Sequence, residues 1–483
     1  MRTLERYVII CLVFLCAVSG MSQAQAYAKR PNIIVLLCDD LGYGDLSCYG
    51  HPVIETPNLD RLAGQGLRLT SCYSAAPVCS PSRVGLMTGR SPNRAGVYDW
   101  IPPGSKKQSN FRDLVHMQRT ETTIPMLLSK VGYQTCLAGK WHCNSRFNSA
   151  TQPQPGEAGF DHWFSTQNNA SPSHKNPKNF VRNGKPVGPL TGFSAGLIVQ
   201  EAIQWLGQRE TQHPFYLQVC FHEPHEPVAS PPELVKKYRP EAINEDQAQY
   251  FANVENVDKA AGRLLAFLSS QDLRQNTLII FTSDNGPETL KRYGGANRSY
   301  GSPGVLKGMK LWTSEAGFRV PGIVNWPGTV ESGLVSDEVV ASLDFLPTFC
   351  ALSGASLPQR TLDGTDLSGF LKGQSLSRTK PLLWCYYNSL NEHAVAMRSG
   401  DWKILATLQE DGKRLSKMTN VYAGNEQAVL NATLADFELY RVNGDISEAR
   451  ELSNEFPQQL ADMKEVLQHR YAELIKNSFV WQR

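Results

Sequence analysis

The chain has 483 residues, 41% hydrophobic and 19% charged, so it is too long for one average domain and too rich in core-forming residues to be disordered. Its 48 basic and 45 acidic residues leave a net charge of +3, too balanced for a nucleic-acid binder. With 29 prolines, 38 glycines and no internal repeat, collagen-like, low-complexity and solenoid architectures are excluded as well.

Residues 1–26 have the three-part layout of a secretory signal: Arg2 and Arg6, an apolar run over 7–18, then Ala24-Gln25-Ala26, with cleavage expected after Ala26. The apolar run, roughly 12 residues, falls short of the roughly 20 that a spanning helix needs, and no later segment is long and apolar enough. The expectation is an exported protein, periplasmic or secreted, with no membrane span after cleavage. Cys11 and Cys16 leave with the signal; the remaining cysteines are scattered, show no zinc-type spacing, and their pairing is open.

Residues 31–38 (PNIIVLLC) read as a buried parallel strand ending in Asp39-Asp40. Thr123-Ile124-Pro125 opens a helix, and Ile198, Ala202, Trp205 and Leu206 mark the face of another. Residues 215–220 form a second strand, running into His222-Glu223-Pro224-His225, and residues 278–282 a third, ending Ser283-Asp284-Asn285-Gly286. Buried strands alternating with helices imply an α/β fold with a large, mostly parallel sheet. Beyond about residue 375 the pattern becomes short strands in series, at 382–388, 393–398, 402–408 and 437–442. A helix from Glu455 follows, with Leu460, Met463, Leu467 and Leu474 on one face. The expected organisation is a signal over 1–26, a catalytic domain over 27–375 and a smaller antiparallel α+β subdomain over 376–483.

In open parallel sheets, ligands bind beyond the carboxyl ends of the strands. Two of the runs deliver Asp39, Asp40, Asp284 and Asn285 there, hard oxygen donors suited to Ca²⁺ or Mg²⁺. Taken alone, each is equally a solvated strand-end acid or a helix cap. In Cys79-Ser80-Pro81-Ser82-Arg83, Pro81 fits the first turn of a helix, which puts Cys79 at an N-terminus that favours anions and Arg83 one turn on. By composition alone, a buried structural cysteine before an ordinary helix is the better reading.

Cys79-Ser80-Pro81-Ser82-Arg83 with the trailing Thr88-Gly89-Arg90 resembles the sequence that marks a cysteine for oxidation to formylglycine in the type I sulfatase family. Gly139-Lys140-Trp141-His142 resembles that family's second signature, and Asp39-Asp40 and Asp284-Asn285 stand where it keeps its calcium ligands. The resemblance covers about residues 30 to 480 and implies an alkaline-phosphatase-like fold. It implies that Cys79, matured by a formylglycine-generating enzyme, supplies a geminal diol. One Ca²⁺ is then held by Asp39, Asp40, Asp284, Asn285 and an oxygen of residue 79. Arg83 steadies the hydrated aldehyde, Lys140 and Lys310 bind sulfate oxygens, His142 helps break down the sulfated intermediate, and His225 protonates the leaving group. His222 is the rival for that last role. Ala316-Gly317 replaces the family's usual Gly-Gly after Lys310.

These roles suit the chemistry. A cation beside the diol lowers its pKa, fixed positive charge stabilises the transferring group, and a histidine titrates in the range useful for protonating a sugar alkoxide. Residues 159–164 and 437–440 resemble exported sulfatases of the N-acetylgalactosamine-6-sulfatase and arylsulfatase A kind, which favours a 6-O-sulfated galactose or N-acetylgalactosamine unit of a sulfated carbohydrate. Asn168, Asn169, His174 and Lys175 lie in a polar stretch; Asn169 and His174 are the candidates to line the sugar pocket. The alternatives are a phosphonate or phosphate ester hydrolase on the same fold and a non-catalytic binder of sulfated polysaccharide.

Overall fold

A computed structural model describes residues 30–104 and 111–482. The expected signal segment lies outside the described residues. The large sheet comprises β1 (Asn32–Asp39), β2 (Leu67–Tyr73), β3 (Gln134–Lys140), β4 (His162–Thr166), β5 (Val181–Arg182), β6 (Lys185–Pro186), β7 (Phe215–Pro224), β8 (Thr277–Ser283), β9 (Arg319–Asn325), β10 (Leu334–Ser336) and β11 (Val340–Ala341). Their order is β10-β2-β9-β8-β1-β7-β3-β4-β5-β6, with β11 beside β2. The central strands β8, β1, β7, β3 and β4 are mutually parallel, and β9 runs antiparallel to β8.

The apolar run of β1 is explained by burial on both faces. Ile33, Val35 and Leu37 enter one core, and Ile34, Leu36 and Cys38 enter the other. Helices Ser194–Gln208 and Glu245–Ser270 cover one face; helices Cys79–Thr88 and Phe345–Ser353 cover the opposite one.

The second sheet is antiparallel: β12 (Leu382–Cys385), β13 (Val395–Ser399), β14 (Trp402–Glu410), β15 (Lys413–Arg414) and β16 (Thr433–Arg441), in the order β12-β13-β14-β15 with β16 also paired to β14. Helix Pro457–Lys476 packs Met463, Leu467 and Leu474 into its core. Tyr73, Phe318, Leu382, Trp384 and Tyr440 form an apolar seam between the two sheets, with the Phe318 and Trp384 rings stacked 4.1 Å apart. The strand expected at 215–220 continues to Pro224, because past an irregularity at Leu37/Asp39 the residue Pro224 still pairs with Asp39. The strand expected to begin at Phe437 begins at Thr433, paired to Gln409.

Candidate active site

Neighbouring parallel strands end on the same edge of the sheet, and that edge gathers residues far apart in sequence. Asp39 ends β1; Asp40 follows it at a φ of 63°. Asp284 and Asn285 follow β8, His225 follows β7, Lys140 ends β3, and His142 lies just beyond at a φ of 55°. Cys79 is the first residue of its helix, and Arg83 sits one turn on. Gly139 has a φ of 110°, and a Cβ there would come within 1.8 Å of the Cys220 carbonyl oxygen, so only glycine allows β3 to meet β7 beside Lys140. In Ala316-Gly317 only the second position is pressed: a Cβ on Gly317 would lie 1.9 Å from the Trp312 carbonyl oxygen, while the Ala316 methyl is accommodated in the core.

The charges at this edge are buried and interlocked. Arg83 donates from Nε to Asp284 Oδ2 at 2.8 Å and reaches the Lys140 carbonyl at 3.2 Å. Lys140 Nζ lies 2.5 Å from Asp39 Oδ2, and Lys310 Nζ lies 2.7 Å and 2.9 Å from the two oxygens of Asp40. Asn285 Nδ2 donates to Asp40 Oδ1 at 2.7 Å. Burial acts to raise the Asp39 carboxyl, yet Lys140, His225 and Arg83 hold it well below the usual range. Burial pushes Asp284 up to about 7 against the pull of Arg83.

Two acceptors are left over: Asp39 Oδ1 and Asn285 Oδ1 are buried without a hydrogen-bond partner. Oxygen atoms of Asp39 and Asp284 and the Cys79 sulfur lie within 4.8 Å of one another, as do ligand atoms of Asp39, Asp40 and His225. Spare carboxylate and amide oxygens converging in this way fit a hard divalent cation.

A cavity of about 370 Å³ opens over this cluster, lined by Cys79, His142, His225, Lys310 and Asn169 among the expected residues. The Cys79 thiol is raised to about 11 by burial, although Lys140 and Lys310 pull the other way. Burial, with Lys140 and Arg83 nearby, lowers His142 well below the usual histidine range. Its Nε2 lies 2.9 Å from the Ile101 carbonyl oxygen, and its Nδ1 has no partner.

The structure separates the two rival histidines. His222 is sandwiched between Thr166 Oγ1 (2.7 Å, at Nε2) and Ser194 Oγ (2.6 Å, at Nδ1), both ring nitrogens occupied and buried. His225 faces the cavity with Nε2 3.6 Å from Asp40, while Nδ1 lies 2.5 Å from the Glu226 carbonyl oxygen. His174 is fully buried and does not line the cavity; it sits behind the His225 loop, 3.2 Å from Asn253 and 3.9 Å from Glu223. Trp100, Glu288, Arg292 and Tyr293 complete the cavity wall and carried no motif in the sequence. For the last three, the available signal is position, a few residues past Asp284 on the loop that leaves β8.

The family model described as Sulfatase matches residues 31–355, and that of the N-sulphoglucosamine sulphohydrolase C-terminal region matches 309–436. Human arylsulfatase A is 33% identical over 414 residues, covering 80% of this chain and 76% of the relative. Human N-acetylgalactosamine-6-sulfatase is 33% identical over 428 residues, covering 85% and 76%. Among solved structures, Ps i-CgsB in complex with k-i-k-neocarrahexaose superposes with a TM-score of 0.76 at 28% identity, covering 93% of this chain and 95% of that one. The PsFucS1 sulfatase from Pseudoalteromonas sp. gives 0.72 at 27%, covering 96% and 95%. With two-thirds of its length matched by one family and relatives 33% identical over most of the chain, the chain belongs to the sulfatase family of sulfuric ester hydrolases.

Proposed function

We propose that this protein removes sulfate from a sulfated carbohydrate, with a 6-O-sulfated galactose or N-acetylgalactosamine unit as the favoured target. Cys79 is matured to formylglycine by a separate generating enzyme, and one Ca²⁺ is held by Asp39, Asp40, Asp284 and Asn285. The observation that carries this reading is the position of Cys79, opening into the cavity beside His142, His225 and Lys310 with its thiol raised to about 11. An unmodified thiol in that state is almost wholly protonated at neutral pH and a weak nucleophile. A Ca²⁺ held by Asp39, Asp40, Asp284 and Asn285 would supply Lewis-acid chemistry, lowering the pKa of the aldehyde hydrate at residue 79 so that it would act as an oxygen nucleophile at neutral pH.

The remaining steps belong to the chain's own side chains. Asp39, Asp40 and Asp284 are matched by Arg83, Lys140 and Lys310, three charges against three, so the cluster is close to neutral without a metal and turns cationic with one. Lys140 and Lys310 then have charge to spare for sulfate oxygens. The Glu226 carbonyl can only accept a hydrogen bond, so His225 Nδ1 keeps its proton, and Nε2, 3.6 Å from Asp40, is the atom that delivers one to the departing sugar oxygen. By the same logic His142 Nε2 keeps its proton against Ile101, and its bare Nδ1 takes a proton from a hydroxyl in the cavity.

The two candidate metal groups share Asp39 and describe one site among the described residues. One metal with flanking lysines favours sulfate over a phosphate ester held between two metals. The names of relatives that act on N-acetylgalactosamine 6-sulfate, and a structural neighbour bound to a carrageenan oligosaccharide, support the carbohydrate class. We place the catalytic unit at 27–375, the small subdomain at 376–483 and an export signal at 1–26.

The test is the mass of the tryptic peptide holding Cys79, from protein made in its own host, alongside sulfate release from a panel of sulfated sugars. The expected peptide is lighter by about 18 Da, thiol to aldehyde. An intact thiol in protein that still releases sulfate sinks the formylglycine reading, and release from phosphate esters alone sinks the sulfate reading.

A further inference from the structure

A second cavity, of about 230 Å³, lies in the small subdomain and is lined by Tyr387, Ser389, Asn391, Glu392, Arg414 and Lys417 among others. Its wall is joined to that of the first cavity by a backbone hydrogen bond between the strip 388–391 and the segment at Leu311. Leu390, on the wall of the second, donates its N–H at 2.9 Å to the carbonyl of Leu311, on the wall of the first. The strip is fixed to the catalytic domain at both ends: Asn388 donates to Asp99 at 3.0 Å, next to Trp100, and Asn391 accepts from the Thr313 N–H at 2.9 Å. The two cavities are therefore held in fixed register.

Cation and polar groups dominate the chemistry of the second cavity. Arg414 is held by Glu392 at 3.1 Å and remains half exposed. Lys417 is exposed and has no carboxylate within ion-pair distance among the described residues. Ser389 Oγ is bonded to Asn391, whose amide is committed to Thr313, so these two side chains hold the cavity wall in place and leave the charge reading to Arg414 and Lys417. The cavity is smaller than the roughly 300–1,000 Å³ of a drug-sized ligand site, which suits one sugar unit rather than an independent substrate.

We propose that this cavity is a subsite for an anionic sugar unit of the same polysaccharide whose sulfate ester occupies the first cavity, with Arg414 and Lys417 reading its charge. The inference rests on the carbohydrate reading above and deepens it: the natural substrate is a polyanionic chain spanning both sheets, and the small subdomain selects chain over monosaccharide. A unit bound in the second cavity raises the effective concentration of the scissile ester at the first, so the benefit appears in KM and is weakened by salt.

The test compares the unsubstituted protein with an R414A/K417A double variant and with R414K/K417R, which keeps both charges. Substrates are 4-nitrophenyl sulfate, small enough to use the first cavity alone, and a chondroitin 6-sulfate hexasaccharide. The expected result for R414A/K417A is a KM for the hexasaccharide raised about tenfold, from two lost charge-assisted contacts, with kcat held and 4-nitrophenyl sulfate turnover within about twofold. R414K/K417R recovers most of that loss.

A second arm needs no turnover: binding of the fluorescently labelled hexasaccharide to Cys79→Ala protein, with and without R414A/K417A, after matched melting curves confirm folding. The expected dissociation constant again rises about tenfold. Competition by unsulfated chondroitin hexasaccharide separates a uronate from a sulfate as the bound group. Equal binding by the two proteins, or none by either, overturns the subsite. Failure of the matured protein to release sulfate from either substrate overturns the hydrolytic reading instead, and the binding arm then judges the cavity separately.

Discussion

At the carboxyl edge of the large sheet, Asp39, Asp40 and Asp284 are buried with Arg83, Lys140 and Lys310; at the junction of the two sheets, Glu315 and Glu448 are buried with Arg319, Arg398 and Lys403. The residue types are nearly the same, but the bonding differs. Both oxygens of Glu315 are committed: Oε1 to Lys403 at 3.0 Å, and Oε2 to the Tyr73 hydroxyl at 2.6 Å and Arg319 at 3.0 Å. Burial alone would raise Glu315, yet Lys403, Arg319 and Arg398 hold it at about 2. At the sheet edge, Asp39 Oδ1 and Asn285 Oδ1 have no hydrogen-bond partner, the former only the Arg83 guanidinium at 3.8 Å, and a cavity opens beside them. A buried acceptor left unpaired costs about 1–3 kcal/mol, so a fold keeps two of them together where a ligand restores the balance. At the junction the one acceptor without a hydrogen bond among the described residues, Glu448 Oε1, lies 2.7 Å from Lys403 Nζ and faces no cavity; at the edge the two spare oxygens lie beside one.

The sharpest way to break this contrast is to remove the reacting group. Cys79→Ala is expected to abolish sulfate release, by about 10⁴-fold or more, because it removes the proposed nucleophile. Its melting temperature should stay close to that of the unsubstituted protein, since one small side chain at a cavity wall is lost. Turnover within tenfold of the unsubstituted protein would move the nucleophile elsewhere.

His225→Ala comes next, and leaving-group dependence is its signature. On a sugar sulfate, kcat is expected to fall about 10²–10⁴-fold, the usual worth of a general acid. On 4-nitrophenyl sulfate, whose leaving group needs no proton, the fall is expected to be far smaller. His222→Ala should lower stability and affect both substrates alike, as both its ring nitrogens are held by Thr166 and Ser194. An equal loss on both substrates in His225→Ala would remove it from the acid role.

Breaking the junction should instead lower the stability of the whole protein. Glu315→Gln removes a charge that three buried cations share, and half-broken buried networks lose about 3–5 kcal/mol. The measurement is calorimetric melting, with activity expected to track the folded fraction. Chelation probes the edge more gently. A cation present at 100 times its dissociation constant adds about 2.7 kcal/mol, which EDTA should remove and Ca²⁺ restore. In Asp284→Asn that Ca²⁺-dependent shift should shrink, whereas in Glu315→Gln it should persist.

The contrast also marks what could be read in sequence. Asp39 and Asp284 were legible because each closes an uninterrupted apolar run, and such runs are buried parallel strands that end on one edge. The choice between His222 and His225 was not settled by sequence, because β7 continues through Pro224 and leaves His222 inside the strand, facing Thr166 and Ser194, with His225 just past its end. His174 sits in a polar stretch from which it was expected to line the sugar pocket. The segment instead folds inward, its backbone bonded to Pro227 and Ser194, and places the ring behind the site. Trp100 and Arg292 line one cavity from loops nearly two hundred residues apart, a juxtaposition that no local pattern encodes. The Glu315 cluster was equally hidden, since its partners Arg319, Arg398 and Lys403 come from three strands in two sheets.

Behind His225 lies a third way of burying polar groups, by neutralising them. Burial, with His225 close by, lowers His174 to about 3 from 6.5, and burial raises Glu223 to about 7 from 4.5. In the unfolded chain between pH 4.5 and 6.5 the histidine is charged and the carboxyl ionised; in the folded protein both are neutral. Folding thus moves one proton from His174 to Glu223 with no net uptake, and over that window the two contributions to the pH dependence of stability cancel. Removing either partner should expose the other. In Glu223→Gln the stability owed to neutral His174 is present above pH 6.5 and lost as pH falls toward about 3. In His174→Asn the stability owed to protonated Glu223 is present below pH 4.5 and lost as pH rises through about 7. Each slope approaches about 1.4 kcal/mol per pH unit, with opposite sign, measurable by urea unfolding between pH 4.5 and 6.5. Parallel slopes in the two variants would mean that the pair keeps its charges when buried, as the Glu315 junction does.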